Sequence, residues 1–329
     1  MQPHQGGGRA GRRALLAAAA TALAAPRPHA EEVWPSRPVR IVIPFAPGGP
    51  IDTIGRLLAE HLRERLGQPF VVENRSGAGG SIGLRAVVQS PPDGTSLVLT
   101  SSSLASLHAL YPNQGLDPRR VVTPLSLVAN VPTVMAVRAD APFHSVPEVI
   151  AAARAEPGRF TYGSGGVGSS NHLSGALFAH RAGIALTHVS YRGAAASMAA
   201  LYAGEIDIVF ASTVEALGHV RGGRARLLGV TTAERIAALP EVPAIAETVP
   251  GYVALNWYAF AGPRGLSPAM VRRFAATLAA LREVEEVRAR FTAAGTEALL
   301  TGPEALAERI AEDVPLWEGV VRAAGIRAE

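Results

Sequence analysis

Residues 39–52 read VRIVIPFAPGGPID: an apolar run, a glycine-rich loop and the opening of an amphipathic helix. A short apolar run bounded by turn residues reads as a buried strand. Over residues 51–66, Ile54, Leu57, Leu58, Leu62 and Leu66 fall on one stripe, with Arg56, Glu60 and Arg63 elsewhere, and Gly67 stands where a helix would end. The same strand–loop–helix pattern returns at residues 159–173, RFTYGSGGVGSSNHL. Glycine lets a backbone turn sharply and approach a ligand closely. A helix start then aims free N–H groups and the positive end of its dipole at whatever sits there. Two such loops in one chain point to an anionic small molecule held between two lobes.

Apolar runs and helical stretches alternate almost throughout. Strands are predicted at 39–43, 70–73, 96–100, 133–137, 160–162, 186–190, 206–210, 227–230 and 258–261. Helices are predicted at 51–66, 81–89, 146–155, 170–181, 194–203, 268–281, 284–294 and 304–324. This alternation predicts an α/β fold with parallel sheets covered on both faces. No Gly/Ser-rich linker separates two tandem domains. The tail returns to helices, so the chain is expected to leave one lobe, build a second and come back, crossing near 136–141 and 254–258. No internal repeat is evident beyond the likeness of the two loops.

The N-terminus reads as an address. Arg12 and Arg13 precede a short Ala/Leu run at 14–25, and 26–30 lead to Glu31 and Glu32. A charged start, a short apolar middle and a small-residue end match a secretory signal peptide, too short to span a bilayer, with cleavage expected near Ala30. The arginine pair permits twin-arginine as well as general secretory export. The full chain has 31 basic and 27 acidic residues; removing Arg9, Arg12, Arg13 and Arg27 leaves 27 of each. The basic balance is thus a property of the leader and makes no case for nucleic acid. Lysine is absent, which excludes Schiff-base chemistry and a P-loop, and the Cys count of 0 excludes disulfides and thiolate sites. After the leader no apolar stretch is long enough for a membrane helix.

Catalytic signatures do not assemble. Gly163, Gly165 and Gly168 form a literal G-x-G-x-x-G, but between Gly163 and Glu205 there is no acid to hold a ribose. No S-x-x-K or H-E-x-x-H occurs. Histidines are scattered singly; His172 stands out on the first turn after the second loop, as turn packing or as a ligand contact. Asp52 near the third helical position suits a cap, or a ligand amine or water. Serines 76, 102, 103, 164, 169 and 170 could be ordinary turn residues, but they cluster beside glycines at predicted C-terminal strand ends, where open α/β sheets bind ligands. Trp257 and Tyr258 read as hinge packing, and RGGRAR at 221–226 as a solvated loop.

With these residues in hand, the chain resembles the substrate-binding proteins of tripartite tricarboxylate transporters, the Bug-type extracytoplasmic receptors. The likeness runs from about Arg37 to Ile326 through PVRIVIPFAPGGPIDTIGR, GQPFVVENRSGAGGSIG, PPDGTSLVLTSS, PGRFTYGSGGVGSSNHLSG, HVSYRG, GEIDIVF, LPEVPAIAE and LNWYAFAGP, in that order. The resemblance implies a two-lobed periplasmic-binding-protein (Venus flytrap, type II) fold, with lobe 1 at 37–138 plus 258–329 and lobe 2 at 139–257. It implies a ligand in the interlobe cleft and closure on binding. Carried over, the first-lobe cradle is Phe45, Pro47, Gly48, Gly49 and Asp52, with Ser102 and Ser103; the second-lobe wall is Ser164, Gly165, Ser169, Ser170 and His172, with Tyr191 and Ser212. The family holds a carboxylate through backbone amides and ordered waters rather than a buried arginine. Ser190 departs from the proline more usual before the Tyr-Arg/Lys-Gly run, which bears on Tyr191. The expected protein is a monomeric periplasmic receptor that presents a small carboxylate to the membrane components of a transporter, with no cofactor, no metal and no reaction. The alternatives are a sensory receptor for a two-component system and a carboxylate-processing enzyme on the same fold.

Overall fold

A computed structural model describes, apart from Met1, residues 34–327. The expected signal peptide, 1–30, lies outside the described residues. The strands are β1 Val39–Ile43, β2 Phe70–Asn74, β3 Ser96–Ser101, β4 Val122–Val131, β5 Thr133–Arg138, β6 Thr161–Ser164, β7 Thr187–Ser190, β8 Ile208–Ser212, β9 Ala225–Val230, β10 Asn256–Pro263 and β11 Glu297–Ala298. The helices are α1 Pro50–Leu66, α2 Ser81–Val88, α3 Leu107–Leu110, α4 Pro118–Val121, α5 Val146–Ala155, α6 Ser170–Ala182, α7 Ala194–Ala203, α8 Thr213–Arg221, α9 Pro268–Ala279, α10 Glu285–Ala293 and α11 Pro303–Ala323.

Two sheets form, in the orders β2-β1-β3-β10-β4-β11 and β7-β6-β8-β5-β9. The orders correspond: each places its first parallel strand between the second and third, and each inserts one strand arriving from the other lobe. That inserted strand, β10 in one sheet and β5 in the other, runs antiparallel to both neighbours. The expectation of parallel sheets is therefore corrected to mixed ones, because a chain crossing from the facing lobe enters the sheet from its opposite end. The first crossing is at Pro132, between β4 and β5, ahead of the expected 136–141, and Thr133–Arg138 belongs to the second sheet. The second crossing runs from Ala254, still bonded to Thr231, to the start of β10 at Asn256. Both crossings are tied through buried Thr231, whose N–H donates to the Thr133 carbonyl at 2.9 Å and whose carbonyl accepts from Ala254 N–H at 2.9 Å.

Local chemistry explains the elements. α1 starts on Gly49 with Pro50 in its first turn, buries Ile54, Leu58 and Leu62, and ends at Gly67 in the left-handed conformation (φ 74°). Gly55 lets α1 lie flat on its sheet, since a Cβ there would come within 2.6 Å of Ile43 Cδ1. α11 buries Leu306, Ile310, Val314, Trp317, Val320 and Val321 against β4 and α6, so one helix braces both lobes. At the return crossing the fully buried Trp257 donates its indole N–H to Asp313 of α11 at 2.7 Å.

Candidate ligand cleft

Every loop singled out in the sequence leaves the C-terminal end of a parallel strand. β1 runs into Pro44–Gly49, β3 into Ser102, β6 into the second glycine loop, β7 into Tyr191, and β8 ends at Ser212. The lobes meet along these ends. A Cβ on Gly168 of lobe 2 would meet Leu110 Cδ1 of lobe 1 at 2.5 Å, and one on Gly79 of lobe 1 would lie 3.7 Å from the Val167 carbonyl of lobe 2.

The first loop is held from beneath by charge. Asp52 is only 4% exposed. Its carboxylate accepts from Gly48 N–H at 3.0 Å, Asn74 Nδ2 at 2.9 Å and the Arg56 guanidinium at 3.0 and 3.1 Å. Asn74 also donates to the Phe45 carbonyl at 3.1 Å. Burial alone would raise the Asp52 pKa, but Arg56, the Gly48 amide and Asn74 together hold it below the usual range. Asp52 thus braces the loop. Gly48 has φ +85° and open space where a side chain would stand, and Pro47 and Gly48 are exposed. Asn74 and Arg56 escaped the sequence reading because Asn74 meets the loop only through sheet pairing of β1 with β2.

Ser102 and Ser103 are buried, and their hydroxyls have partners inside the protein: Ser102 Oγ donates to Asn256 Oδ1 at 2.7 Å, and Ser103 Oγ lies 3.0 Å from Ser101 Oγ.

The second loop is held by neutral groups. Gly168 N–H donates to His172 Nδ1 at 3.0 Å, which fixes that nitrogen as an acceptor and the ring as neutral. His172 stacks on His188 with centroids 3.8 Å apart, and Tyr162 lies 5.0 Å from His188. His188 Nε2 lies 2.7 Å from Ser164 Oγ, which also accepts from Gly166 N–H at 3.2 Å. Burial lowers the His172 pKa to about 3, with the neighbouring His188 adding to it, and burial lowers that of His188 to about 4. Ser169 caps α6 by accepting from His172 N–H at 3.4 Å, and Ser170 opens the helix. A Cβ on Gly165 would stand 3.0 Å from Ala194 N and 3.1 Å from Gly193 C, so that glycine admits a neighbouring loop of the same lobe. Tyr191 is half-buried beside this loop, and its N–H donates to the Ser164 carbonyl at 2.9 Å. Ser212 caps α8 by accepting from Glu215 N–H at 3.4 Å.

A narrow crevice, too tight to admit a water molecule, lies beside the second loop, lined by Ser164, Gly165, Asn171, Ser197, Phe210 and Glu215 among others. Of these, only Ser164 and Gly165 were singled out in the sequence. Asn171 is braced by donating to the Phe210 carbonyl. A larger hollow, bounded by Trp34, Arg37, Pro92, Asp93 and Met270, lies at the N-terminal ends of the lobe 1 strands. Ligands of open α/β sheets bind at the other end, so the cleft is the better candidate.

These features define a two-lobed solute-binding protein whose cleft is formed by strand ends and helix starts. A model of the tripartite tricarboxylate transporter family receptor matches residues 54–326. The chain belongs to this family. It is 33% identical to protein BugT of Bordetella pertussis, over 91% of this chain and 93% of that one. Among solved structures it is similar to the periplasmic binding protein BugD (30% identity, TM-score 0.78, covering 89% of this chain and 100% of that one). It is also similar to an R. palustris protein with adipate (33%, 0.79, 89% and 99%). A third likeness is to MatC from Rhodopseudomonas palustris with bound malate (28%, 0.79, 88% and 100%).

Proposed function

We propose that this protein is an exported receptor that captures a small carboxylate in the interlobe cleft and presents it to the membrane components of a tripartite tricarboxylate transporter. The observation that carries the reading is the pair of glycine loops at facing strand ends. Backbone amides and helix starts can neutralise an anion without burying a full countercharge, which is costly to desolvate. The Gly48 loop, exposed and without a side chain in the way, supplies such a surface from lobe 1. The Ser164–Ser170 loop, at the start of α6, faces it from lobe 2. Similar receptors hold adipate and malate, which supports a carboxylate as the ligand. Ligand touching both lobes would favour the closed form by its differential contacts. No reaction is part of this reading, and the protein acts as a monomer in the periplasm once its leader is removed.

The test is thermal unfolding of mature protein against mono-, di- and tricarboxylates, with native mass spectrometry of the protein as purified. A ligand at about 100 times its Kd adds roughly 2.7 kcal/mol and raises Tm by several degrees. A selective rise with the ligand recovered unaltered is the expected result. No rise with any carboxylate would overturn the reading, and a ligand consumed on incubation would replace it with an enzyme.

A further inference from the structure

The serines that follow β3 are committed inward. Ser103 Oγ rests on Ser101, and Ser102 Oγ donates to Asn256 Oδ1 at 2.7 Å. Asn256 opens β10 directly after the second crossing. In the lobe 1 sheet, β10 sets Tyr258 opposite Ser101 of β3, and Asn256 itself opposite Val131, the last residue of β4 before the first crossing. Asn256 therefore stands at the cleft end of the sheet, on the floor where both crossings pass. Its carboxamide has a fixed orientation. The backbone N–H of Trp257 lies 2.9 Å from Oδ1 and can only donate, so the atom facing it is the oxygen and the nitrogen points elsewhere. Asn74 and Asn171 spend their amide nitrogens inside the protein, on the Phe45 and Phe210 carbonyls and on Asp52. The Asn256 nitrogen donates to no group among the described residues, and it is not sealed from solvent.

We propose that Asn256 contacts the ligand from the cleft floor, its Nδ2 hydrogens donating to a carboxylate oxygen of the bound acid, and that Ser102 is the residue that positions it. This rests on the reading of the protein as a carboxylate receptor and names a further group of that site. A carboxamide nitrogen donates and does not accept, so the ligand atom it meets is an oxygen and not an amine. Being neutral, it adds to the loop amides without a countercharge that would have to be desolvated. The two bonds that Oδ1 accepts hold the side chain in place before the ligand arrives, so little rotamer freedom is left to lose on binding. Ser102, singled out in the sequence as a contact, acts in this arrangement through Asn256.

The experiment is calorimetric titration of mature protein with malate, adipate, glutarate and citrate. The acid that binds most tightly is then titrated into Asn256→Ala, Asn256→Asp and Ser102→Ala, and the Tm of each variant is recorded. Asn256→Ala binds at least about tenfold more weakly, as expected for a lost hydrogen bond to a charged group. Asn256→Asp keeps an oxygen for Ser102 and the Trp257 amide, so its Tm lies above that of Asn256→Ala. It also removes the donors and sets a negative charge against the ligand, so its affinity falls further, by about a hundredfold or more. Ser102→Ala loses less than either, since the Trp257 amide still holds the carboxamide. An Asn256→Asp variant that binds like wild type would make the residue purely structural and overturn the proposal. So would a loss in Asn256→Asp that Asn256→Ala does not share, which is repulsion without contact. A larger loss in Ser102→Ala than in Asn256→Ala would put the contact on the hydroxyl and overturn it as well. Each of these leaves the receptor standing, whereas wild type binding none of the four acids would remove the receptor and the proposal together. If Asn256→Ala does not fold, Asn256→Asp decides alone.

Discussion

The two glycine loops stand at the same place, between a strand end and a helix start, but they are built from opposite chemistry. The first rests on an ionic web in which one buried carboxylate gathers the Gly48 amide, Asn74 and Arg56. The second rests on stacked neutral rings, His172 on His188, with a serine and a ring nitrogen catching its amides. The glycines differ too: Gly48 looks onto open space and Gly165 onto the backbone of residues 193–194. Two lobes with the same strand order hold a glycine loop at the same place by unrelated supports.

Substituting the glycines breaks the comparison most forcefully. Gly165→Val drives a side chain into the backbone of its own lobe and should lower stability by about 3 kcal/mol, together with loss of ligand binding. Gly48→Ala costs only about 1 kcal/mol, from placing a Cβ at φ +85°, yet lowers affinity at least about tenfold by standing where a ligand must approach. Urea unfolding and ligand titration on both variants separate the two roles. Unchanged affinity in Gly48→Ala would take the first loop out of the site.

Removing the charge beneath the first loop comes next. Asp52→Ala leaves the Gly48 amide and Asn74 without their acceptor and should cost about 2 kcal/mol, the Arg56 share being small because that side chain is 53% exposed. Because the native pKa of Asp52 lies below the unfolded value near 3.9, its contribution is complete above that pH and is lost as pH falls through the native value. Asp52→Asn should therefore flatten the stability curve below about pH 4 and leave it unchanged in slope above. A difference in slope near pH 6 would contradict this account of the loop.

The second loop titrates in another window. His172 and His188 have native pKa values of about 3 and 4, against about 6.5 in the unfolded chain. Above pH 6.5 both states are neutral and the rings make no pH-dependent contribution. As pH falls below that, the unfolded state takes up protons first and stability declines until the native values are reached. The slope is at most about 1.4 kcal/mol per pH unit for His172. Urea midpoints at pH 7 and pH 5 should differ less in His172→Asn than in wild type, since asparagine keeps an acceptor for Gly168 without titrating. Equal differences in the two proteins would show that the ring is not buried neutral beneath the loop.

Much of this arrangement was legible in the sequence, because it is local. Both loops, the helices that follow them and the apolar strands that precede them are set by short-range pattern, and the strand ends then gather the site. What was missed depends on partners distant in the chain. β4 went unrecognised because Pro124 interrupts its pattern; in the sheet Pro124 stands opposite Ala261, next to a register shift that tolerates it. His188 reads as a lone strand residue until the sheet sets it beside His172. Asp52 could be a cap or a contact, and only Asn74, brought in by β2, commits it to the loop. α8 was not expected, although Ser212 and Glu215 stand at the spacing of a capping box, a helix-start pattern.

The smallest expected effect sharpens the contrast at the two helix starts. α1 begins on Gly49 with no capping side chain, and Asp52 in its first turn holds the Gly48 amide instead, whereas α6 begins on Ser169, whose hydroxyl takes the His172 amide. Ser169→Ala should therefore cost about 1 kcal/mol of stability, the usual worth of an N-cap. Ser169→Asp restores the cap and gains from the helix dipole, so its Tm should match wild type or exceed it. If the second loop receives an anion, the same aspartate puts a negative charge where the ligand's carboxylate must lie, and affinity should fall several-fold or more although the fold is as stable as before. Calorimetric titration of the two variants separates capping from recognition: an aspartate variant that is stable and still binds would confine Ser169 to its cap. The anion would then be held by the first loop, whose helix start carries no capping side chain.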